Sequence, residues 1–302
     1  MADTVKRART PRLDIAYEDR GDPRAAAVLL VHGFPDDVRT WDGVTGSLVE
    51  GGYRTLAPYV RGFGPTRFTD PSAPRSGQVA ALAQDVVEFA DAVGVDRFLL
   101  VGHDWGARAG YAAAALWPER VRGFVALAVG YDPPTSRRRP SATQARAFWY
   151  QWYFHLAHGR TALEEDRGAF CRLLWATWSP SWRFDEAAFN ETARSFDNPD
   201  FVDVVVHYYR HRWGNATGDP RYDSLQVRLE EAPSIAVPTV LLCGAEDGAN
   251  LPAASEGKER YFAAGYGRRV IAGVGHFVQR EAPGAVSDAI KELVSSGTRT
   301  RP

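Results

Sequence analysis

Short continuous apolar runs alternate along the chain with longer stretches in which apolar residues recur at helical spacing. Residues 27–31 and 98–101 are uninterrupted apolar runs, which is the pattern of strands buried on both faces of a sheet. Between them, residues 79–93 place apolar side chains on one side of a helix and polar side chains on the other. This succession predicts a mostly parallel sheet that is covered by helices.

A segment of different character interrupts this alternation. The strand pattern stops after residues 124–129, and residues 136–228 show helical spacing and hold most of the chain's tryptophans. Strand-like runs return from residue 238 onward, and an amphipathic helix closes the chain. The sequence therefore predicts one α/β core in two parts, residues 1–135 and 229–302, with an inserted helical domain between them.

Composition and charge exclude several classes of protein. The 302 residues include 36 basic and 37 acidic side chains, so no strong net field recruits nucleic acid or an anionic membrane. No apolar stretch approaches the roughly 18 residues of a membrane span, and the polar N-terminus lacks the pattern of a signal peptide. Two cysteines, Cys171 and Cys243, are too few for a disulfide framework. We therefore expect a cytoplasmic protein that uses neither a metal nor an organic cofactor.

The most informative motif is residues 102–106, Gly-His-Asp-Trp-Gly, which follows a predicted strand and opens a predicted helix. A Gly-x-nucleophile-x-Gly turn in this setting is a nucleophile elbow, in which small flanking residues permit a strained turn that exposes the central side chain. Here the central residue is Asp104 rather than serine. An aspartate in this position could also act only as the N-cap of the helix, and the two partners described next argue against that interpretation.

Two further residues complete a catalytic constellation. Asp247 lies just past the strand predicted at residues 240–243, and His276 lies just past the one predicted at residues 268–272. Both loops would lie at the carboxyl ends of parallel strands, where open α/β sheets bind their ligands. The chain order of nucleophile, acid and histidine is that of the α/β-hydrolase fold. Asp132, which follows another strand end, is the reserve acid.

The first buried strand leads into His32-Gly33-Phe34-Pro35. In the α/β-hydrolase fold one amide of the oxyanion hole comes from this loop, and the other from the residue after the nucleophile. The backbone amides of Phe34 and Trp105 would therefore form the oxyanion hole. Pro35 has no amide to donate and is expected to stiffen the loop. We expect all three residues to contact the substrate.

An aspartate nucleophile narrows the chemistry. A carboxylate that attacked an ester carbonyl would form a mixed anhydride, so its more useful target is a saturated carbon with a leaving group. Displacement there yields an alkyl-enzyme ester. His276 can then activate water against the ester carbonyl while the oxyanion-hole amides stabilise the tetrahedral oxyanion. Epoxides and alkyl halides are the two obvious substrate classes.

Two motifs of the chain resemble the paired signatures of the epoxide hydrolases, a family of the α/β-hydrolase superfamily. They are residues 32–36, His-Gly-Phe-Pro-Asp, and residues 102–106, Gly-His-Asp-Trp-Gly. The resemblance implies an α/β-hydrolase fold with an inserted α-helical cap, and the hydrolysis of an epoxide to a vicinal diol. It also implies a small hydrophobic epoxide and water as the reactants.

In that family two cap tyrosines hydrogen-bond the epoxide oxygen. One lies in an aromatic stretch early in the cap and the other directly precedes an arginine late in the cap, so the resemblance assigns these roles to Tyr150 and Tyr209. Their neighbours Tyr153 and Tyr208 remain alternatives. A phenol, with an unperturbed pKa of about 10, is neutral at pH 7 and can donate a proton to a developing alkoxide.

The aromatic cap predicts an apolar pocket, with Trp152 as a further substrate contact. We expect the protein to work as a monomer or a homodimer without a nucleic-acid or membrane partner. Two kinds of dehalogenase are alternatives. A haloalkane dehalogenase would bind halide through Trp105 and a second tryptophan of the cap.

A fluoroacetate dehalogenase is the other alternative, since Arg108 and Trp152 match the carboxylate-binding and fluoride-binding positions of that family. That family has arginine directly after the nucleophile, however, where this chain has Trp105. A ligand-binding protein without activity is a third alternative, disfavoured because all three members of the triad are present.

Overall fold

The computed structural model describes residues 5–133, 139–231 and 233–298, and in this part of the chain nine strands form one mixed sheet. The strands are β1 (Lys6–Arg9), β2 (Leu13–Arg20), β3 (Ala27–Val31), β4 (Arg54–Pro58), β5 (Arg67–Phe68), β6 (Phe98–His103), β7 (Val121–Leu127), β8 (Thr239–Gly244) and β9 (Tyr266–Ile271). Their spatial order is β1-β2-β4-β3-β6-β7-β8-β9, with β5 paired to β2. β2 is antiparallel to its neighbours, and every pair from β4 to β9 is parallel.

The parallel strands at the centre of the sheet are buried on both faces. Every residue of β3, β6 and β8 is buried, because helices cover the sheet on both sides. These strands are the continuous apolar runs of the sequence, so the predicted α/β class is confirmed. Val270 of β9 is 43% exposed, because β9 is an edge strand.

Helices of the core flank this sheet. They are α1 (Asp42–Glu50), α2 (Val79–Ala92), α3 (Trp105–Leu116), α11 (Val278–Glu281) and α12 (Pro283–Thr298). The amphipathic pattern of residues 79–93 is α2, whose buried side includes Val86 and Phe89. The closing helix predicted at residues 283–294 is α12. Among the helices that the structure describes, none is both long and apolar enough to cross a membrane.

A helical insertion, which we call the cap, lies between β7 and β8 in the chain. Its helices are α4 (Ala142–Ala147), α5 (Trp149–Tyr153), α6 (Ala157–Glu165), α7 (Arg167–Trp178), α8 (Glu186–Ala193), α9 (Phe201–Arg212) and α10 (Asp223–Glu230). The domain limits proposed from the sequence stay predictions. The first, between residues 135 and 136, lies outside the described residues, and the second, after residue 228, falls within α10.

One apolar cluster joins the cap to the core. Phe34 of the loop after β3 packs against Phe154, Trp178 and Tyr209 of the cap, with ring centroids 6.0 to 6.3 Å apart. The indole N–H of Trp175 also donates a hydrogen bond of 2.7 Å to the carbonyl of Pro35. The cap is therefore held directly over the carboxyl ends of the parallel strands.

Candidate active site

Asp104 stands on the sharp turn between β6 and α3. Its φ of 50° and ψ of −113° lie in a region that residues with a side chain rarely adopt, so the backbone here is strained. The Asp104 side chain forms no capping hydrogen bond with α3, although it occupies the N-cap position. The turn has the form of a nucleophile elbow, and the N-cap interpretation does not account for it.

Close backbone contacts explain two of the glycines in the motifs. A Cβ atom on Gly106 would lie 2.0 Å from the Val31 carbonyl oxygen, and one on Gly33 would lie 2.6 Å from the Trp105 nitrogen. Only glycine permits these approaches. They bring the loop after β3 against the elbow, where the Phe34 amide donates a hydrogen bond of 3.2 Å to Oδ1 of Asp104.

The structure brings together the three residues predicted as a triad. Nδ1 of His276 lies 2.9 Å from Oδ2 of Asp247, and Nε2 lies 3.8 Å from Oδ2 of Asp104. The other oxygen of Asp247 accepts hydrogen bonds from the amides of Ala249 and Asn250, at 2.7 and 2.8 Å. Asp247 is thus fixed as the partner of Nδ1, which leaves Nε2 directed toward the nucleophile.

His276 is placed to act as a base. Nε2 has no hydrogen-bond partner among the described residues, and 3.8 Å from Asp104 is too long for a direct bond. Burial disfavours the charged imidazolium, but the carboxylates of Asp247 and Asp104 outweigh burial and raise the pKa of His276. The arrangement therefore favours a ring that accepts a proton at Nε2 while Asp247 holds Nδ1–H.

The Asp104 carboxylate is held between opposing effects. Burial raises its pKa, while the nearby His276, Arg108 and the amides of Trp105 and Phe34 favour the ionised form. The net shift is upward. The two amides are those predicted for the oxyanion hole, and in the free protein they stabilise the nucleophile itself.

The reserve acid lies elsewhere. Asp132 follows β7, is a third exposed, and pairs with Arg212 at 3.7 Å and Lys258 at 3.8 Å rather than with His276. Asp247 is the carboxylate that contacts the histidine.

Two of the four candidate tyrosines face each other above the elbow. The rings of Tyr150 and Tyr209 meet edge to face with centroids 5.3 Å apart, and each residue is 1% exposed. Burial is the main cause of the raised pKa of both phenols, and the Asp104 carboxylate raises them further. Both hydroxyls are therefore protonated and lie within electrostatic reach of the nucleophile.

The hydrogen bonds of the two phenols differ. Nε2 of Gln151 donates to the Tyr150 oxygen at 2.9 Å, which leaves the Tyr150 proton for another acceptor. The Tyr209 oxygen completes no hydrogen bond among the described residues. Burial raises the pKa of this phenol, and the nearby Trp105 indole opposes that effect.

Their neighbours are placed differently. Tyr208 stacks on the Trp105 ring at 4.4 Å; burial raises the pKa of its hydroxyl, and the nearest charges that act on it are Arg61, which lowers this pKa, and Asp85, which raises it. Tyr153 is partly exposed and stacks on Phe170.

Trp152, predicted as a substrate contact, is not brought to this group. It is 36% exposed, its ring packs on Trp213 at 4.6 Å, and its indole N–H donates to the Ala145 carbonyl at 2.7 Å. The side chain therefore packs at the outer side of α5, and its N–H is not available to bind fluoride.

Trp178, the last residue of α7, has no definite role in the predictions made from the sequence. Its ring lies 4.8 Å from the rings of both His276 and Tyr150, and its buried indole N–H has no partner among the described residues. The sequence offers only its membership of an aromatic segment. Membership of that segment does not predict that the Trp178 ring lies beside His276.

The chain is similar to proteins of one family over nearly its whole length. Residues 26–283 match the family described as alpha/beta hydrolase fold. A solved structure from Klebsiella pneumoniae, assigned as an epoxide hydrolase, is 36% identical with a TM-score of 0.92, and the match covers 96% of this chain and 97% of that one. Epoxide hydrolase A of Mycobacterium tuberculosis is 28% identical over 97% of this chain and 98% of its own length.

Alanine is usually more stabilising than glycine, and the strained elbow predicts the reverse order at position 104. Replacing Asp104 by Gly or by Ala removes the same carboxylate, but only alanine retains the strain of a positive φ. We expect Asp104→Gly to be more stable than Asp104→Ala by about 1 kcal/mol, measured by chemical denaturation. Ala115→Gly, at an ordinary helical position of α3, is the control and should lower stability by about 0.5–1 kcal/mol. An Asp104→Ala variant as stable as Asp104→Gly would contradict a strained elbow.

Proposed function

The chain belongs to the α/β-hydrolase fold family, and we propose that it hydrolyses an epoxide to a vicinal diol through a covalent ester on Asp104. The observation that carries the proposal is the pair of buried, protonated phenols, Tyr150 and Tyr209, close to the Asp104 carboxyl group. An epoxide needs a nucleophile at carbon and a proton donor at oxygen. The resemblance to proteins named epoxide hydrolases supports the same chemistry.

The first step is alkylation of Asp104. A carboxylate oxygen attacks one epoxide carbon, and the bond from that carbon to the epoxide oxygen breaks. Tyr150 or Tyr209 gives its proton to the departing oxygen, which becomes the first hydroxyl of the product. Because Gln151 donates to the Tyr150 oxygen, the phenolic proton of Tyr150 is directed away from Gln151 and is available to the epoxide.

The second step is hydrolysis of the ester. His276 takes a proton from water through Nε2, and the hydroxide adds to the ester carbonyl, whose oxyanion is stabilised by the amides of Phe34 and Trp105. Collapse breaks the bond between the carbonyl carbon and the diol oxygen, which takes the proton from His276. The proton left on the Asp104 carboxyl returns to the phenolate, so one turnover consumes one water.

The reactants we propose are a small epoxide with an apolar body, and water. Aromatic rings of Phe34, Trp178 and the two tyrosines surround the carboxylate and suit an apolar substituent. We further propose, from the sequence, a monomer or homodimer in the cytoplasm.

A hydrolytic dehalogenase is the second candidate, because Trp178 offers a buried indole N–H beside His276 that no described residue accepts. Such a donor could bind a halide leaving group. Two proton-donating phenols are not needed for halide departure, which favours the epoxide. Turnover of styrene oxide without halide release from a 1-haloalkane or fluoroacetate separates the two functions.

The covalent route predicts where the new oxygen originates. In a single turnover in heavy-oxygen water with enzyme in excess, the diol should be unlabelled and the peptide that contains Asp104 should carry the label, as read by mass spectrometry. Water attacking the epoxide directly would give a labelled diol and an unlabelled peptide. That result would exclude the ester.

Loss of the base should trap the intermediate. In His276→Gln, Asp104 is still alkylated but water is no longer activated, so intact-protein mass spectrometry should show a lasting adduct equal to the substrate mass. The double variant Asp104→Ala with His276→Gln is the control and should show none. An adduct in both proteins would mean that another residue is alkylated.

The phenols should act on alkylation rather than on hydrolysis. Tyr150→Phe and Tyr209→Phe should each slow the pre-steady-state formation of the ester by up to about 10²-fold, because the remaining phenol can still donate a proton to the epoxide oxygen. The double variant, which retains neither phenol, should be nearly inactive. Tyr153→Phe removes a hydroxyl from the same helix as Tyr150 and should leave the rate unchanged. Wild-type alkylation in the double variant would refute the assignment.

A further inference from the structure

The loop that carries His276 has little of its own to hold it in one conformation. Gly273, at a φ of 71°, and Gly275 both lie within three residues of the histidine, and glycine leaves the backbone more freedom than any other residue. The base works only if its Nε2 stays close to Asp104, from whose Oδ2 it is 3.8 Å away. A displacement of about 1 Å in a catalytic group can cost about 10²-fold in rate. Contacts from outside the loop are therefore needed to fix it.

Two side chains bind three consecutive amides of this loop. The Glu281 carboxylate accepts from the Gly275 amide through Oε2 at 2.8 Å and from the Phe277 amide through Oε1 at 3.1 Å. The amide between them, that of His276, donates to the Ser179 hydroxyl oxygen at 2.8 Å. Successive backbone amides that point to one place form a concave site for an anion, and here the anion is the side chain of Glu281.

The two acceptors are themselves joined. The Ser179 hydroxyl donates to Oε1 of Glu281 at 2.6 Å. Ser179 directly follows α7 of the cap, and Glu281 ends α11 of the core, so this hydrogen bond links the two parts of the molecule. Because it ends on a carboxylate, it is stronger than a bond between neutral groups, and it polarises the hydroxyl that accepts from His276. The packing is close, since a Cβ on Gly275 would lie 2.4 Å from the Ser179 oxygen.

Glu281 also acts on the charge of His276. Asp247 has the largest effect among the carboxylates that raise the pKa of His276, followed by Asp104 and then Glu281. In the ester Asp104 is neutral, so of these three carboxylates Asp247 and Glu281 remain to favour proton uptake while water is activated. The ring of His103, 4.8 Å from that of His276, is neutral, because burial lowers its pKa well below the usual value.

Arg280, the neighbour of Glu281 on α11, is paired elsewhere. Its guanidinium group donates to both oxygens of Asp36, at 2.6 and 3.0 Å, and lies over the ring of Trp175. Of the two charged side chains of α11, Glu281 is thus the one that contacts the histidine loop.

We propose that Glu281 is a positioning residue for His276, and that together with Ser179 it acts on the hydrolysis of the ester rather than on its formation. The proposal rests on the epoxide-hydrolase function given above and adds two residues to its second step. The contacts of both residues described above are with the histidine loop, so they bear on the step that needs a placed and basic histidine. Since Ser179 belongs to the cap, the base reaches its working position only when the cap is seated on the core.

Pre-steady-state kinetics with styrene oxide separates the two steps. In Glu281→Gln the ester should form within about twofold of the wild-type rate and its hydrolysis should slow by about 10- to 10²-fold, because glutamine replaces one of two accepting oxygens by a donor. The ester should therefore accumulate, as read by intact-protein mass spectrometry. Ser179→Ala should show the same pattern. Glu186→Gln, which removes an exposed cap carboxylate paired with Arg172, is the matched control and should leave both rates unchanged.

The charge of Glu281 gives a readout that a purely structural role would not move. Hydrolysis needs neutral His276, so its rate rises with pH as the imidazolium loses its proton. Because Glu281 raises the pKa of His276, the midpoint of this rise should move to lower pH in Glu281→Gln. Ser179→Ala keeps the carboxylate and should keep the midpoint. Glu281→Asp, which retains the charge on a shorter side chain, should also keep the midpoint and recover part of the hydrolysis rate.

Two results would overturn the proposal: hydrolysis at the wild-type rate in both Glu281→Gln and Ser179→Ala, or an equal loss in both steps with an unshifted midpoint. If Glu281→Gln does not fold, selective loss of hydrolysis in Ser179→Ala still tests the pair. Failure of the epoxide function looks different, since styrene oxide would then form no ester with the wild type or with His276→Gln. The pKa of His276, read by NMR in the free protein, should fall in Glu281→Gln without any turnover, and an unchanged value would count against the role of the charge.

Discussion

The carboxylate of Asp104 lies among aromatic rings, where an ionised group is costly unless it is hydrogen-bonded and paired. Burial raises the pKa of Asp104, while His276, Arg108 and a hydrogen bond from the Phe34 amide favour its ionised form. In the proposed reaction the Phe34 amide and His276 each have a second task. The groups that favour the carboxylate charge of Asp104 would also stabilise the oxyanion and activate water, because the oxyanion forms at the same point as that charge.

The cap does more than cover this site. At the end of α7, the carbonyl of Trp178 accepts hydrogen bonds from the amides of Gly248 and His276, and the Ser179 hydroxyl accepts another from His276. Gly248 directly follows Asp247. One turn of the cap thus fixes both loops that carry the acid and the histidine, so the position of the triad depends on the seating of the cap on the core.

Local patterns explain what could be predicted from the sequence. Buried parallel strands and amphipathic helices leave direct signals, and the elbow depends on glycines within a few residues of Asp104. The choice of Asp247 over Asp132 depends on which strand-end loop meets His276, a contact across the sheet that no local pattern records. Which of the adjacent tyrosines at the end of α9 faces Tyr150 is set by the rotation of that helix, since neighbouring residues point about 100° apart.

The orientation of Trp152 is the same kind of problem, because a five-residue helix in an aromatic segment gives no clear buried side. In the proposed reaction, formation of the ester removes the negative charge that His276 and Arg108 stabilise on Asp104, and hydrolysis of the ester restores it. The groups around the nucleophile therefore face a neutral ester for only part of the cycle, and the developing oxyanion brings negative charge back to the same point.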